Sequence, residues 1–90
     1  MNINIVFKNL GKKRLWAQAI FETNTIEIDP RAKGKKLIEL GIHETLHLKF
    51  PWMTEEAVTD CAVDIVNVLE KMGVHSVDTS NNIKLQDGSF

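Results

Sequence analysis

The apolar positions along this chain begin with strand-like runs and change to helical spacing partway through. Asn2–Phe7 is short and rich in Ile and Val, which predicts a strand closed by the turn-forming Asn9-Leu10-Gly11. Leu15–Glu22 and Thr25–Asp29 predict two more strands, joined as a hairpin through Thr23-Asn24. In the second of these Ile26 and Ile28 alternate with Glu27, giving one apolar and one wet face. Pro30 ends that strand, and Arg31–Lys35 forms a basic loop containing Gly34.

From Lys36 the spacing turns helical. At about 100° per residue, Leu37, Ile38, Leu40, Ile42, Leu46 and Leu48 are distributed all round the helix, which predicts a largely buried element. Gly41 and Thr45, one turn apart, offer a low strip for close packing against a sheet. Pro51 requires the helix to stop by about Lys49. Thr54 is a favourable N-cap for a second helix, with Glu55 and Glu56 in its first turn. Val58, Cys61, Ala62, Ile65, Leu69 and Met72 form its predicted apolar face, and Gly73 its stop. The fold class expected is α+β: a small antiparallel or mixed sheet of about three strands packed on two main helices. One domain spans residues 1–90, with strands and hairpin over 1–30, helices over 36–49 and 54–72, and a polar tail over 75–90. Within the tail Ile83–Gln86 is a candidate edge strand.

The chemistry lies in His43-Glu44-Thr45-Leu46-His47. Residues four apart on a helix sit one above the other, so the two imidazoles can share one tetrahedral zinc. Glu44, rotated by about 100°, stands beside the metal, where it can take a proton from a water and pass it to a leaving amine. Two histidines and a glutamate in an otherwise apolar helix are costly unless something satisfies them, and a metal does so directly. The candidates for a third ligand are Glu55, Glu56, Asp60, Asp64 and His75. Helix phase favours Glu55, at the edge of the apolar face and just after the Phe50–Met53 reversal. Glu56 is second, and His75 requires the tail to return. Glu39, one turn before His43, is a candidate partner for an imidazole N–H. Cys61 reads as a core thiol, Trp16 and Trp52 as core or rim packing, with Trp52 placed to wall the site.

Composition narrows the partners. A hydrophobic fraction of 43% and a charged fraction of 26% are ordinary for a globular protein. The net charge of −1 argues against a general nucleic-acid binder. The charge is uneven, +4 over residues 1–50 and −5 over 51–90. Lys12, Lys13 and Arg14, with Arg31, Lys33, Lys35 and Lys36, form two basic loops that could guide an acidic partner or nucleic acid. The single cysteine rules out an intrachain disulfide and fits a reducing compartment. No secretory leader is legible at Met1–Phe7, and no apolar run approaches the ~20 residues that span a bilayer. The expectation is a cytoplasmic, intracellular protein without a membrane partner.

With its histidine motif and the acidic start of the next helix, the chain resembles the zincin metallopeptidases of the glutamate-ligand (gluzincin-like) branch. The order of elements is also similar to the minimal core of ImmA/IrrE-type and SprT-like proteins and of small phage-encoded metallopeptidase-like proteins. The resemblance runs from about Leu15 to Met72, through Ile26-Glu27-Ile28-Asp29, Leu40–His47 and Glu55-Glu56-Ala57-Val58. It implies zinc held by His43, His47 and Glu55, with Glu44 as general base. It also implies an extended peptide or protein substrate docked along Thr25–Asp29 as the sheet edge. The competing expectations are a non-catalytic, zinc-stabilised binding module that uses the basic loops, and an apo domain carrying a chance motif.

Overall fold

The computed structural model describes residues 2–74, so His75 and the Ile83–Gln86 strand candidate lie outside the described residues. Three strands and two helices follow in order: β1 (Asn4–Phe7), β2 (Ala17–Ile20), β3 (Thr25–Ile28), α1 (Gly34–Lys49) and α2 (Glu55–Lys71). The β2–β3 hairpin turns through a short 3-10 segment, Phe21–Thr23, and then Asn24 at φ 54°, a left-handed conformation that asparagine tolerates well. β3 pairs antiparallel with β2 and parallel with β1, giving a mixed α+β fold with strand order β1-β3-β2.

That order corrects the expected docking edge. Thr25–Ile28 is the central strand, hydrogen-bonded on both sides, so an extended peptide has no free edge there. Its nearly continuous burial is the physical reason for the position: Ile26, Glu27 and Ile28 are all buried, as a strand flanked on both sides must be. Among the described residues the open edges belong to β1 and β2.

Asp29, at the end of β3, ties the strand ends together. Its carboxylate accepts from the Leu10 N–H at 2.8 Å, the Arg31 N–H at 2.9 Å and Arg31 Nε at 2.8 Å. Its own N–H donates to the Trp16 carbonyl at 2.8 Å, and its carbonyl accepts from Ala32 to close the turn through Pro30. The chain before β2 and the chain entering α1 are thereby fixed to one residue.

α1 covers one face of this sheet, and α2 packs on α1. Ile26, Ile28, Ala32 and Leu48 form the core, with Leu37, Leu40, Ala17 and Ala19 packed against it. α1 lies over β2 and β3 rather than β1. It is therefore not enclosed as its apolar surface predicts: of its residues only Glu44 and Leu48 are buried. Ile38, Ile42 and Leu46 instead join Ile5, Phe7 and Ile65 around an open apolar groove of about 550 Å³. Gly41 and Thr45 line that groove too, and a methyl group at Gly41 would meet nothing within 4 Å, so they form no tight helix–sheet contact.

α2 starts on the expected cap, Thr54 Oγ1 accepting from the Ala57 N–H at 3.1 Å. It ends at Gly73, φ 88°, with the Gly73 and Val74 N–H groups bonded back to Glu70 and Leu69, the paired bonds of a Schellman cap. Its buried face is Val58, Ala62 and Val66. The predicted face was rotated: Ile65 and Met72 are exposed, and Cys61 is only half-buried. No helix among the described residues is long and apolar enough to cross a membrane.

The hydrogen bonds to Asp29 hold its carboxyl down at about 2, against an ordinary 3.8, with the Arg31 side chain the largest cause. A carboxyl whose pKa is depressed by folding stabilises the fold above its unfolded value, and that contribution is lost as pH falls through the folded one. Asp29→Asn is therefore expected to melt below the wild type at pH 7. The gap in Tm should narrow as pH drops from about 4 to about 2, checked by thermal denaturation across that range.

Candidate metal centre

His43 and His47 lie one turn apart on α1, and their rings meet edge-on with centroids 4.9 Å apart. Their Nε2 atoms are 3.2 Å from each other. Glu55, the first residue of α2, reaches both: Oε2 stands 3.1 Å from His43 Nε2, and Oε1 2.9 Å from His47 Nε2. The short reversal between α1 and α2 makes this possible, with the Phe50 N–H bonded to Leu46 and the Met53 N–H to Phe50. Thr54 then starts α2 so that Glu55 faces back toward the histidines.

These three side chains form a group able to hold a metal ion. The distances can be tested against that role. Nitrogen and oxygen ligands about 2.0–2.1 Å from a tetrahedral ion stand roughly 3.3 Å from one another, and the three separations observed are 3.2, 3.1 and 2.9 Å. Hydrogen bonds alone satisfy the triangle less well. Each Nε2 can donate to the carboxylate only as N–H, and two N–H groups then oppose each other across 3.2 Å. A cation at the centre removes that conflict and matches the donor set. Both imidazoles are mostly buried, while the Glu55 side chain is 71% exposed, which leaves the centre open to solvent on one side.

Glu44 belongs to a different line of the helix. It follows Leu37 and Leu40 and precedes Leu48 on the stripe that packs against the sheet, and it is 8% exposed. It has no hydrogen bond or ion pair to any other described residue. Burial pushes its carboxyl pKa up, opposed by the nearby His43 and His47 and reinforced by Glu55. The same three residues that make the triangle are thus the charges that Glu44 senses.

The other expected participants fall outside this cluster. Glu56, Asp60 and Asp64 are exposed on α2 and join no ligand group among the described residues. Glu39 makes no hydrogen bond to either imidazole among the described residues, so the expected contact with an imidazole N–H is not formed. Trp52 is no core residue: it is 75% exposed, edge-on to Phe50 at 5.5 Å, in the turn between the ligand-bearing helices. Trp16, also surface-exposed, carries two cations, with Arg31 4.4 Å and Lys36 4.2 Å from its ring centroid. Sequence reasoning saw those residues only as a tryptophan and a basic loop, because nothing in their spacing announces that the β2 start folds onto the α1 start.

Comparison of the chain with protein-family models, with curated proteins and with solved structures found no match.

Removing a ligand should separate the acidic residues of α2. Glu55→Ala is expected to weaken Co2+ binding by more than the roughly 10–100-fold typical of losing an outer-shell partner. Glu56→Ala should change it less than twofold. Titration followed by the d–d absorption of the ion reads both.

Proposed function

We propose that this chain is a zinc-dependent metallopeptidase-like hydrolase of the zincin type, with His43, His47 and Glu55 as ligands and Glu44 as general base. The observation that carries the reading is Glu44 itself. A carboxylate placed in the sheet-facing stripe of α1, where Leu37, Leu40 and Leu48 pack, is costly for the fold and finds no partner there. Residues that break a local packing rule in this way belong at functional sites. Here the misplaced residue is the one adjoining the metal triangle.

Zinc suits two imidazoles and one carboxylate, and when bound it supplies a Lewis acid that activates water and polarises a carbonyl. Glu44 takes the proton released from water and returns it to the departing amine. Burial, the chief cause, raises its pKa above the ordinary carboxylate range, which makes it a stronger proton acceptor than an exposed glutamate.

The substrate edge is β2. The Asp29 N–H to Trp16 carbonyl bond, together with the register Ala17↔Ile28, sets the alternation of the ladder. Main-chain groups of Ala17 and Ala19 then point away from β3, toward the open edge. Trp16, at the start of β2, touches Lys36, which shares the histidine line of α1, so this edge lies on the metal flank. An extended peptide adding to it would pass the metal centre.

A zinc-stabilised binding module is favoured by one separate observation: the triangle clamps the end of α1 to the start of α2 in a chain with a small core. The two readings part on Glu44→Gln. The hydrolase reading expects full metal content, a Tm equal to or above the wild type's, and peptide turnover lower by roughly 10²–10⁴-fold. Turnover equal to the wild type's would refute Glu44 as the base. A domain that unfolds without zinc and hydrolyses none of a mixed peptide library would leave the binding module as the function.

A further inference from the structure

We infer that Lys36 is a specificity residue that selects a peptide with an acidic side chain about three residues from the bond held at the metal. This rests on the hydrolase reading and deepens it by naming the substrate class.

Lys36 precedes His43 by seven residues, two helical turns, so both lie within about 20° of one line along α1, separated by roughly 10 Å. An extended peptide advances about 3.3 Å per residue, which places the residue facing Lys36 some three residues from the bond held at the metal. Three of the neighbouring cations are already matched. Arg31 is bound to Asp29 at 2.8 Å, Lys35 to Glu70 at 3.4 Å, and Lys8 to Glu27 at 3.7 Å. Lys36 has no acidic partner among the described residues, Glu39 one turn on included.

Its ammonium is nonetheless held in place, 4.2 Å from the Trp16 ring centroid. Trp16 immediately precedes the open edge of β2, so the tethered charge stands where a docked peptide leaves that edge. The first fifty residues together carry +4. A cation tethered to an aromatic ring loses less conformational freedom on meeting a carboxylate than a free lysine does. That favours Lys36 over Lys33, which has no such contact.

The test is binding of short alanine peptides carrying a zinc-chelating hydroxamate at either end, with one Glu or one Lys moved through successive positions. The zinc-loaded full-length chain is titrated calorimetrically. Glu about three residues from the hydroxamate should bind roughly fivefold tighter than Lys at that position, the range of an exposed ion pair. The preference should fall toward unity in 0.5 M salt and in Lys36→Gln, and persist in Lys33→Gln. Equal affinity for Glu and Lys at every position, or a preference that survives Lys36→Gln, would overturn the assignment. Turnover is not needed for this readout. A Glu preference lost in Lys36→Gln alongside unchanged hydrolysis in Glu44→Gln would retain the subsite and refute the catalytic reading. Failure of hydroxamates of any sequence to bind the zinc-loaded chain would overturn both.

Discussion

Two imidazole nitrogens and a carboxylate converge where α1 ends and α2 begins, at separations of 3.2, 3.1 and 2.9 Å. Three such groups crowd together stably only with positive charge between them, whether a shared proton or a metal ion. Much of the local architecture serves this convergence. α1 stops at Lys49 ahead of Pro51, the reversal is short, and the Thr54 cap sets the phase that turns Glu55 inward. Shifting α2 by one residue would rotate that carboxylate by about 100° and empty the third corner.

Asp29 performs the comparable task for the sheet. By binding Leu10, Arg31 and, through its main chain, Trp16, it fixes where β2 begins and where α1 leaves β3. The result brings Trp16, just before β2, against Lys36 near the start of α1. The apolar groove lies elsewhere: Thr45, which lines it, is about 200° round α1 from His43. The apolar groove and the His43–His47–Glu55 group thus occupy different sides of the same helix.

Features set by local chemistry were legible in the sequence. The hairpin at Thr23-Asn24, the helix limits at Pro51, Thr54 and Gly73, and the co-facing of His43 and His47 depend on neighbouring residues alone. What depended on packing order was not. The alternation of Ile26 and Ile28 around Glu27 suggested a strand with one wet face, yet β3 is central, with Glu27 buried and bonded to Gln18 at 2.7 Å. The all-round apolar surface of α1 suggested burial, but the helix sits over two of three strands and leaves Ile38, Ile42 and Leu46 at an open groove. On α2 Ile65 and Met72 shared a plausible stripe with Val58, and the choice of Val66 instead was made by α1, which a periodicity cannot see. Glu55 was readable because helix phase and the short turn point the same way.

The proposed hydrolase reading accounts both for a buried Glu44 that has no partner among the described residues and for a corner able to hold a metal ion, which packing alone does not. Its central claim is the ligand set. X-ray absorption at the zinc edge of the zinc-loaded chain tests it most directly. The account predicts a four-coordinate ion with two imidazoles and oxygen neighbours, all at about 2.0–2.1 Å. A sulfur neighbour near 2.3 Å, which only Cys61 or a methionine could supply, or a shell with fewer than two imidazoles, would contradict it.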